Sequence, residues 1–342
     1  LFWYIFDLYL DKTLIFSNFK YMFNKKIFSK YIYKKNKILI LSIFLVLNIL
    51  SLTGCVNKNT YRSSSERPFV LTTFTILADL ARNVAGDRLL IESITKPGAE
   101  IHSYQFTPSD IVKTKGAKLI IENGLGLEAW FSKFMISTGD IPNVKLTEGI
   151  KPLLIEGDAY SGKPNPHAWM SPKRAMNYVD KIVDAFIKID PDGALEYSSN
   201  ASTYKAKLES LDKELRDSLS SIPKERRFLV TCEGAFTYLA RDYGMKEAYL
   251  WPVNAESQVT PRRMVNLIKK IKENEVPTIF CESTVSAEAQ MEVAKSSGAV
   301  FGGTFYVDSL SDLNGPAPTY IDLLRHNVRL ITKGLSISEV KK

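Results

Sequence analysis

The chain has 342 residues, of which 45% are hydrophobic and 24% are charged. These values are ordinary for a globular protein, and the length exceeds that of most single domains. The formal net charge of +8 is concentrated at the start, because residues 1–54 carry eight Lys and two Asp, which leaves +2 for residues 55–342. A nearly neutral remainder without a basic cluster excludes a surface that tracks nucleic-acid phosphates.

The positive charge near the N-terminus precedes a short apolar segment. Three lysines at positions 34–37 come just before residues 38–52, which carry no charge. About 15 apolar residues are too few for a membrane span, which needs roughly 20, but they suit the core of a secretory signal peptide. We therefore predict that residues 1–54 form a signal-peptide region. The alternative is an uncleaved membrane anchor.

The apolar segment ends in Leu-Thr-Gly-Cys, with the cysteine at position 55. This tetrapeptide resembles the bacterial lipobox, in which the cysteine is diacylated and becomes the mature N-terminus. We predict that Cys55 carries a lipid that holds the protein at the membrane, and that residues 55–67 are a polar tether. Residues 1–21 are aromatic-rich sequence that a signal peptide does not need, so the expected start is Met22.

The remainder of the chain contains two similar halves. Residues 69–82 (Phe-Val-Leu-Thr-Thr-Phe-Thr-Ile-Leu-Ala-Asp-Leu-Ala-Arg) are echoed by residues 228–241 (Phe-Leu-Val-Thr-Cys-Glu-Gly-Ala-Phe-Thr-Tyr-Leu-Ala-Arg). Each segment predicts a short strand that turns into an amphipathic helix. A Thr-Pro pair at 107–108 and another at 260–261 predict two further helix starts, each leading to an apolar strand. Strands that alternate with helices indicate parallel sheets, so we expect an α/β fold with two similar lobes.

A long helix is predicted between the two halves. Residues 197–219 contain neither Gly nor Pro, and about 23 helical residues span roughly 35 Å. We predict that this helix is a stiff link between the lobes, whereas the alternative is an ordinary surface helix within one lobe. The expected boundaries are 68–190 for the N-terminal lobe, 191–221 for the linking helix and 222–342 for the C-terminal lobe.

The chain has only three histidines, and two of them lie in predicted loops. His102 follows a predicted strand, and His167 lies between a Pro-Asn-Pro segment and a predicted helix. Both positions are near the carboxyl ends of strands, where open α/β sheets bind ligands. His326 lies in the middle of a predicted helix and is expected to be a surface or packing residue.

Two acidic residues follow apolar strands of the second half. Glu233 comes directly after residues 228–232, and Asp308 comes directly after a strand predicted over residues 300–307. Alone, each carboxylate is more simply a helix cap or a solvated charge. Together with His102 and His167 they form a nitrogen and oxygen donor set without thiolate, which suits Mn²⁺, Fe²⁺ or Zn²⁺ rather than Cu⁺.

Two cysteines remain once Cys55 is assigned to the lipid. Cys232 and Cys281 each end an apolar strand of the second half, and an even pair in an exported protein is a candidate disulfide. If the two strands are neighbours in a parallel sheet, a Cα separation of about 5 Å permits the bond. The alternative is a pair of buried thiols.

Eight motifs occur in the same order as in a known protein family. The chain resembles the metal-binding solute-binding proteins of bacterial ABC importers (cluster A-I) through residues 74–79, 83–87, 97–104, 107–110, 123–128, 166–172, 233–236 and 306–309. The resemblance covers residues 69–335. It is greatest to the manganese-binding lipoproteins of cyanobacteria, notably through the two cysteines and the segment Lys-Pro-Asn-Pro-His-Ala-Trp-Met-Ser-Pro at 163–172.

The resemblance implies two α/β lobes joined by a long helix, with one metal ion in the cleft between them. The family's ligand positions map onto His102, His167, Glu233 and Asp308. Members of the zinc-specific branch usually have a His at the third position and a His-rich acidic loop, and this chain has neither, which favours Mn²⁺ or Fe²⁺. We therefore expect a lipid-anchored, monomeric substrate-binding protein that delivers Mn²⁺ to an ABC permease and its ATPase subunit.

Two other function classes remain open. An extracytoplasmic metallo-enzyme would need an open coordination position and a nearby base, and the chain contains no His-Glu-x-x-His pair and no Gly-x-Ser-x-Gly motif. An adhesin would need a large exposed recognition surface, which one sequence does not reveal. A saturable content of one metal ion per chain separates the importer component from an adhesin.

Overall fold

A computed structural model describes residues 67–156, 160–253 and 259–336. The predicted signal-peptide region, the predicted lipid attachment site at Cys55 and nearly all of the predicted tether lie outside these residues. Within the described ranges, no helix combines the length and the apolar character that crossing a membrane requires.

A four-stranded parallel sheet forms the centre of the N-terminal half. Its strands are β1 Phe69–Thr72, β2 Leu90–Ser93, β3 Ala117–Glu122 and β4 Asn143–Lys145. They lie in the order β2-β1-β3-β4, with every neighbouring pair parallel. The helices of this half are α1 Thr75–Ala85, α2 Pro108–Lys113 and α3 Phe131–Thr138. The predicted strand-turn-helix unit is therefore confirmed as β1 and α1.

Two long helices follow the first sheet. A short 3-10 helix, Ala168–Met170, leads into α4 Pro172–Ile189, and a second one, Pro191–Gly193, leads into α5 Ala194–Ser220. Helix α5 has 27 residues and is therefore about 40 Å long. It packs against α1 and α4 of the N-terminal half and against the last helix, α9 Tyr320–Leu335, of the C-terminal half. Helix α5 thus contacts both halves, as expected of a helix that links the two lobes.

The C-terminal half is built from two parallel strand pairs. The strands are β5 Phe228–Glu233, β6 Lys246–Trp251, β7 Thr278–Glu282 and β8 Val300–Phe305. β5 pairs with β6 and β7 pairs with β8, while β5 and β7 lie side by side with the Cα atoms of Cys232 and Cys281 4.9 Å apart. The helices are α6 Thr237–Asp242, α7 Pro261–Glu273, α8 Glu288–Ser297 and α9. β5 and α6 confirm the second strand-turn-helix unit.

The two Thr-Pro pairs start helices for the reason that the sequence suggests. The Thr107 hydroxyl accepts a hydrogen bond from the backbone N–H of Asp110, and the Asp110 carboxylate accepts one from the Thr107 N–H, which completes a capping box. At the start of α7 the Thr260 hydroxyl accepts from the Arg263 N–H. In both helices the proline occupies the first turn, where its missing N–H costs nothing.

The two lobes share part of their hydrophobic core. The larger cluster of buried side chains contains the first sheet together with α1, α4 and α5, and it extends to Phe280 and Phe305 of the C-terminal strands. A smaller cluster lies wholly within the C-terminal half and contains Cys232 and Cys281. A core that continues from one lobe into the other favours small relative movements over a wide hinge opening.

Candidate metal centre

His102 lies in the loop that follows β2 and is held by contacts to its backbone. The Glu100 carboxylate accepts hydrogen bonds from the backbone N–H groups of His102 and Ser103, both at 2.7 Å. The carbonyl of Ile101 accepts a hydrogen bond from the Trp130 indole at 2.8 Å. The His102 ring is buried, and its Nδ1 has no hydrogen-bond partner among the described residues. The other ring nitrogen, Nε2, faces three further titratable side chains.

His167 precedes the 3-10 helix Ala168–Met170 and is wholly buried. The Asn165 side-chain amide donates to the Gly234 carbonyl at 2.7 Å, which turns the amide oxygen of Asn165 towards His167 Nδ1 at 2.9 Å. Because an amide oxygen can only accept, His167 Nδ1 carries a proton, and Nε2 is the nitrogen left to bind a cation. Asn165 thereby selects the His167 tautomer in which Nε2 is free to accept.

Glu233 is the last residue of β5, and its position is set by the strand and by a neighbouring acid. Its backbone N–H donates to Glu282 Oε2 at 3.3 Å, and its carbonyl accepts from the Thr231 hydroxyl at 2.7 Å. The side chain of Glu233 is buried and directs Oε1 towards the two histidines.

Asp308 lies three residues beyond the end of β8, in the loop that leads to α9. The strand therefore ends two residues earlier than predicted, at Phe305, and Asp308 does not follow it directly. The residue is 1% exposed, yet neither carboxylate oxygen accepts a hydrogen bond from the described residues. Buried carboxylate oxygens are expensive to leave without a donor or a cation.

The four predicted side chains meet in one place, with their ligand atoms all within 4.8 Å of one another. Nε2 of His102 lies 3.3 Å from Nε2 of His167 and 3.2 Å from Glu233 Oε1. Nε2 of His167 lies 3.4 Å from Asp308 Oδ1. Four atoms at about 2.1 Å from a tetrahedral ion lie about 3.4 Å from each other, so this spacing fits one metal ion.

The histidines and carboxylates of this cluster also form ion pairs when a histidine is protonated. Burial lowers the pKa of His102, but the carboxylates of Glu233 and Asp308 outweigh it, and the pKa lies well above 6.5. Burial raises the pKa of Asp308, and the imidazoles of His102 and His167 more than reverse that effect, so the pKa lies below its usual range. A proton on His102 and a cation in the centre therefore compete for the same carboxylates.

A third buried carboxyl group, Glu282, stands beside the four. It ends β7 as Glu233 ends β5, and both follow a cysteine. Burial, together with the charge of Glu233, raises the pKa of Glu282 well above its ordinary value. Glu282 is not among the residues predicted from the sequence; the signal that points to it is the Cys-Glu pair repeated at the ends of two apolar strands.

The sulfur atoms of Cys232 and Cys281 are joined in a disulfide bond, as predicted. The bond links β5 to β7 at the residues directly before Glu233 and Glu282. His326, in contrast, lies on α9 outside the cluster, where its Nε2 is 3.0 Å from the Thr304 carbonyl oxygen and its ring edge meets Tyr306. His326 is therefore a surface packing residue, as expected.

Comparisons with known proteins cover nearly all of the described residues. The family model described as zinc-uptake complex component A, periplasmic (ZnuA), matches residues 70–334. The iron-binding protein YfeA of Yersinia pestis is 51% identical over 82% of this chain and 91% of its own length. The manganese ABC transporter substrate-binding lipoprotein PsaA of Streptococcus pneumoniae is 32% identical over 87% of this chain and 98% of its own length.

Two solved structures extend the comparison to the fold. The Mn-bound periplasmic metal binding protein of Candidatus Liberibacter asiaticus has a TM-score of 0.72 and 37% identity, and it covers 79% of this chain and 100% of its own. The periplasmic zinc binding protein TroA of Treponema pallidum has a TM-score of 0.74 and 28% identity, with the same coverage. The names of these four proteins differ in the metal: iron, manganese and zinc.

Proposed function

Because this chain belongs to the ZnuA family, the extracytoplasmic metal-binding components of ABC importers, we propose that it captures a single Mn²⁺ and delivers it to the importer. The observation that carries this proposal is the buried cluster of His102, His167, Glu233 and Asp308. Two neutral imidazoles and two carboxylates neutralise one divalent cation. The cation also supplies the partner that the Asp308 oxygens lack among the described residues.

The choice of Mn²⁺ rests on the donor atoms. The cluster contains nitrogen and oxygen donors, and the two nearby cysteines are oxidised to a disulfide, which removes thiolate from the centre. Each carboxylate can bind through one or two oxygens, so the four residues supply between four and six donors. This range suits Mn²⁺ and Fe²⁺ better than Zn²⁺, which prefers four ligands.

Fe²⁺ is the second candidate, because the relative that is 51% identical is named as an iron-binding protein. Mn²⁺ and Fe²⁺ prefer the same donors and differ little in geometry. Zn²⁺ binds nitrogen and oxygen sites more tightly than Mn²⁺ or Fe²⁺ does. Affinity measured in vitro therefore does not identify the ion that the protein carries in the cell.

A transport role explains the centre better than catalysis or adhesion does. Four protein ligands around one ion, with either carboxylate able to bind through two oxygens, leave little room for a substrate and its attacking water. We therefore propose that the chain is not an enzyme. We further propose that it works as a monomer with the permease and its ATPase subunit, and that a lipid on Cys55 holds it at the outer face of the cell membrane. The lobe boundaries at residues 190 and 221 are part of this proposal.

Metal analysis of the protein purified from its native compartment tests the proposal. We expect one ion per chain, with manganese as the main metal, and the same stoichiometry when metal-free protein is titrated with Mn²⁺. Mainly iron supports the second candidate, and mainly zinc overturns the assignment of the metal. Titration that shows no bound Mn²⁺, or several ions per chain, overturns single-ion capture.

A further inference from the structure

Asp308 belongs to the C-terminal half, but its neighbours in the chain are bonded to the N-terminal half. The Val307 carbonyl accepts a hydrogen bond from the Trp169 indole at 3.0 Å, and the Ser309 hydroxyl accepts one from the Gly98 N–H at 2.7 Å. Trp169 comes two residues after His167, and Gly98 comes four residues before His102. The peptide that carries Asp308 is thus held on both sides by the loops that carry the two histidines.

Ser309 is the centre of a small hydrogen-bond network. Its hydroxyl accepts from Gly98 and donates to the Leu310 carbonyl at 3.0 Å. The Leu310 N–H in turn donates to the Thr75 hydroxyl at 2.9 Å, at the first residue of α1. Ser309 is 1% exposed, so water does not compete for these bonds.

Before a cation arrives, the Asp308 side chain is oriented by its ion pairs with the two histidines and by the backbone that carries it. Carboxylates that bind metals are generally fixed by hydrogen bonds from surrounding groups. Both Asp308 oxygens lack such a bond among the described residues, and they lie 3.6 and 3.4 Å from the Nε2 atoms of His102 and His167. Because no hydrogen bond from the described residues fixes this carboxylate, its position depends strongly on the backbone on either side of it.

We propose that Ser309 is a positioning residue that couples the His102 loop to Asp308, so that both ligands reach the same ion. This inference rests on the proposed function and adds a residue that touches no metal. When the Gly98–Ser309 bond is made, the two loops move as one body across the cleft. When it is broken, Asp308 moves away from His102 and the ion leaves faster. Ser309 therefore acts on the rate at which the cation is released.

The test is a set of four variants whose Mn²⁺ affinity and Mn²⁺ release to a chelator are measured. They are S309A, D308A, the double variant S309A/D308A, and T278V as a matched control. Thr278 is a buried residue whose hydroxyl donates to the Gly334 carbonyl at 2.8 Å, and it begins β7 at the end away from Glu282. T278V removes a buried hydrogen bond of the same kind without touching the ligand loops.

We expect S309A to bind Mn²⁺ about fivefold more weakly, which corresponds to the free energy of one hydrogen bond. The weaker binding should appear as faster release of the ion. T278V should bind as the parent does, even where its melting temperature falls. In the D308A background S309A should have no further effect, because the ligand that Ser309 positions is gone. Parent-like affinity in S309A overturns the inference, as does an equal loss with and without Asp308. Failure of D308A to weaken binding overturns the proposed function instead.

Discussion

Nε2 of His102 and Nε2 of His167 face each other at 3.3 Å in the interior of the protein. Asn165 fixes the proton of His167 on the far side of its ring, so this Nε2 presents a lone pair. Two nitrogen lone pairs repel each other at this distance unless a proton or a cation lies between them. We therefore expect two occupants that exclude one another at this centre, a proton on His102 or a metal ion bound to both rings.

The first prediction concerns the ligands themselves. Replacing His167 with Ala should weaken Mn²⁺ binding on the order of 100-fold or more, because one of four donors is lost. The H326A variant is the matched control, since His326 lies on the exposed face of α9 and contacts Tyr306. Isothermal titration measures both affinities. Equal losses in the two variants would show that His167 is not a ligand.

The second prediction concerns the residue that selects the His167 tautomer. The N165L variant keeps the number and branching of the side-chain heavy atoms of Asn165 but removes the acceptor for His167 Nδ1, so we expect a loss of about 10- to 100-fold in affinity. Asn200 provides the control, because its amide donates to the Val84 carbonyl at 3.1 Å, far from the centre. The N200L variant should bind Mn²⁺ as the parent does. Full affinity in N165L would contradict the role given to Asn165.

The third prediction concerns pH. The carboxylates of Glu233 and Asp308 outweigh burial and raise the pKa of His102 above 6.5 in the metal-free protein, so metal binding must displace a proton. As the pH falls through this raised pKa, the protonated form accumulates and affinity should fall about tenfold per pH unit. Above that pKa the affinity should level off. Titration in buffers of different ionisation enthalpy measures the released proton, and binding without proton release would refute this account.

The fourth prediction concerns the disulfide. Without reductant, the unfolded protein should show no reactive thiol from Cys232 and Cys281, and reduction should expose two. The bond closes a loop with a sequence separation of 49, so its loss should lower the free energy of unfolding by about 4 kcal/mol. Cys232 immediately precedes Glu233, so reduction should also weaken Mn²⁺ binding by roughly 1–3 kcal/mol. Unchanged affinity after reduction would leave the bond a structural link only.

Much of the fold follows from local patterns in the sequence. The strand-turn-helix units, the two capped helix starts and the long linking helix rest on periodicity and on Thr-Pro caps, which act within a few residues. The four site residues also follow from their places at strand ends and from the family resemblance, and the structure brings them together. Their binding of a metal ion stays a prediction.

The remaining features depend on contacts between distant parts of the chain. Glu282 lies beside the site only because β7 lies next to β5. The spatial order of these strands cannot be read from the sequence. Ser309 is hydrogen-bonded to Gly98, 211 residues away, and Asn165 is hydrogen-bonded to Gly234, 69 residues away. The roles of both residues depend on these bonds. No local periodicity encodes such hydrogen bonds, because they form only after the two lobes have packed together.

The most direct test of the metal centre is the position of the ion itself. Crystals of the Mn²⁺-loaded protein, measured at the manganese absorption edge, give an anomalous map that locates each manganese atom. We predict a single peak enclosed by His102 Nε2, His167 Nε2 and the carboxylates of Glu233 and Asp308. A manganese peak elsewhere on the chain, with none between these four side chains, would contradict the account.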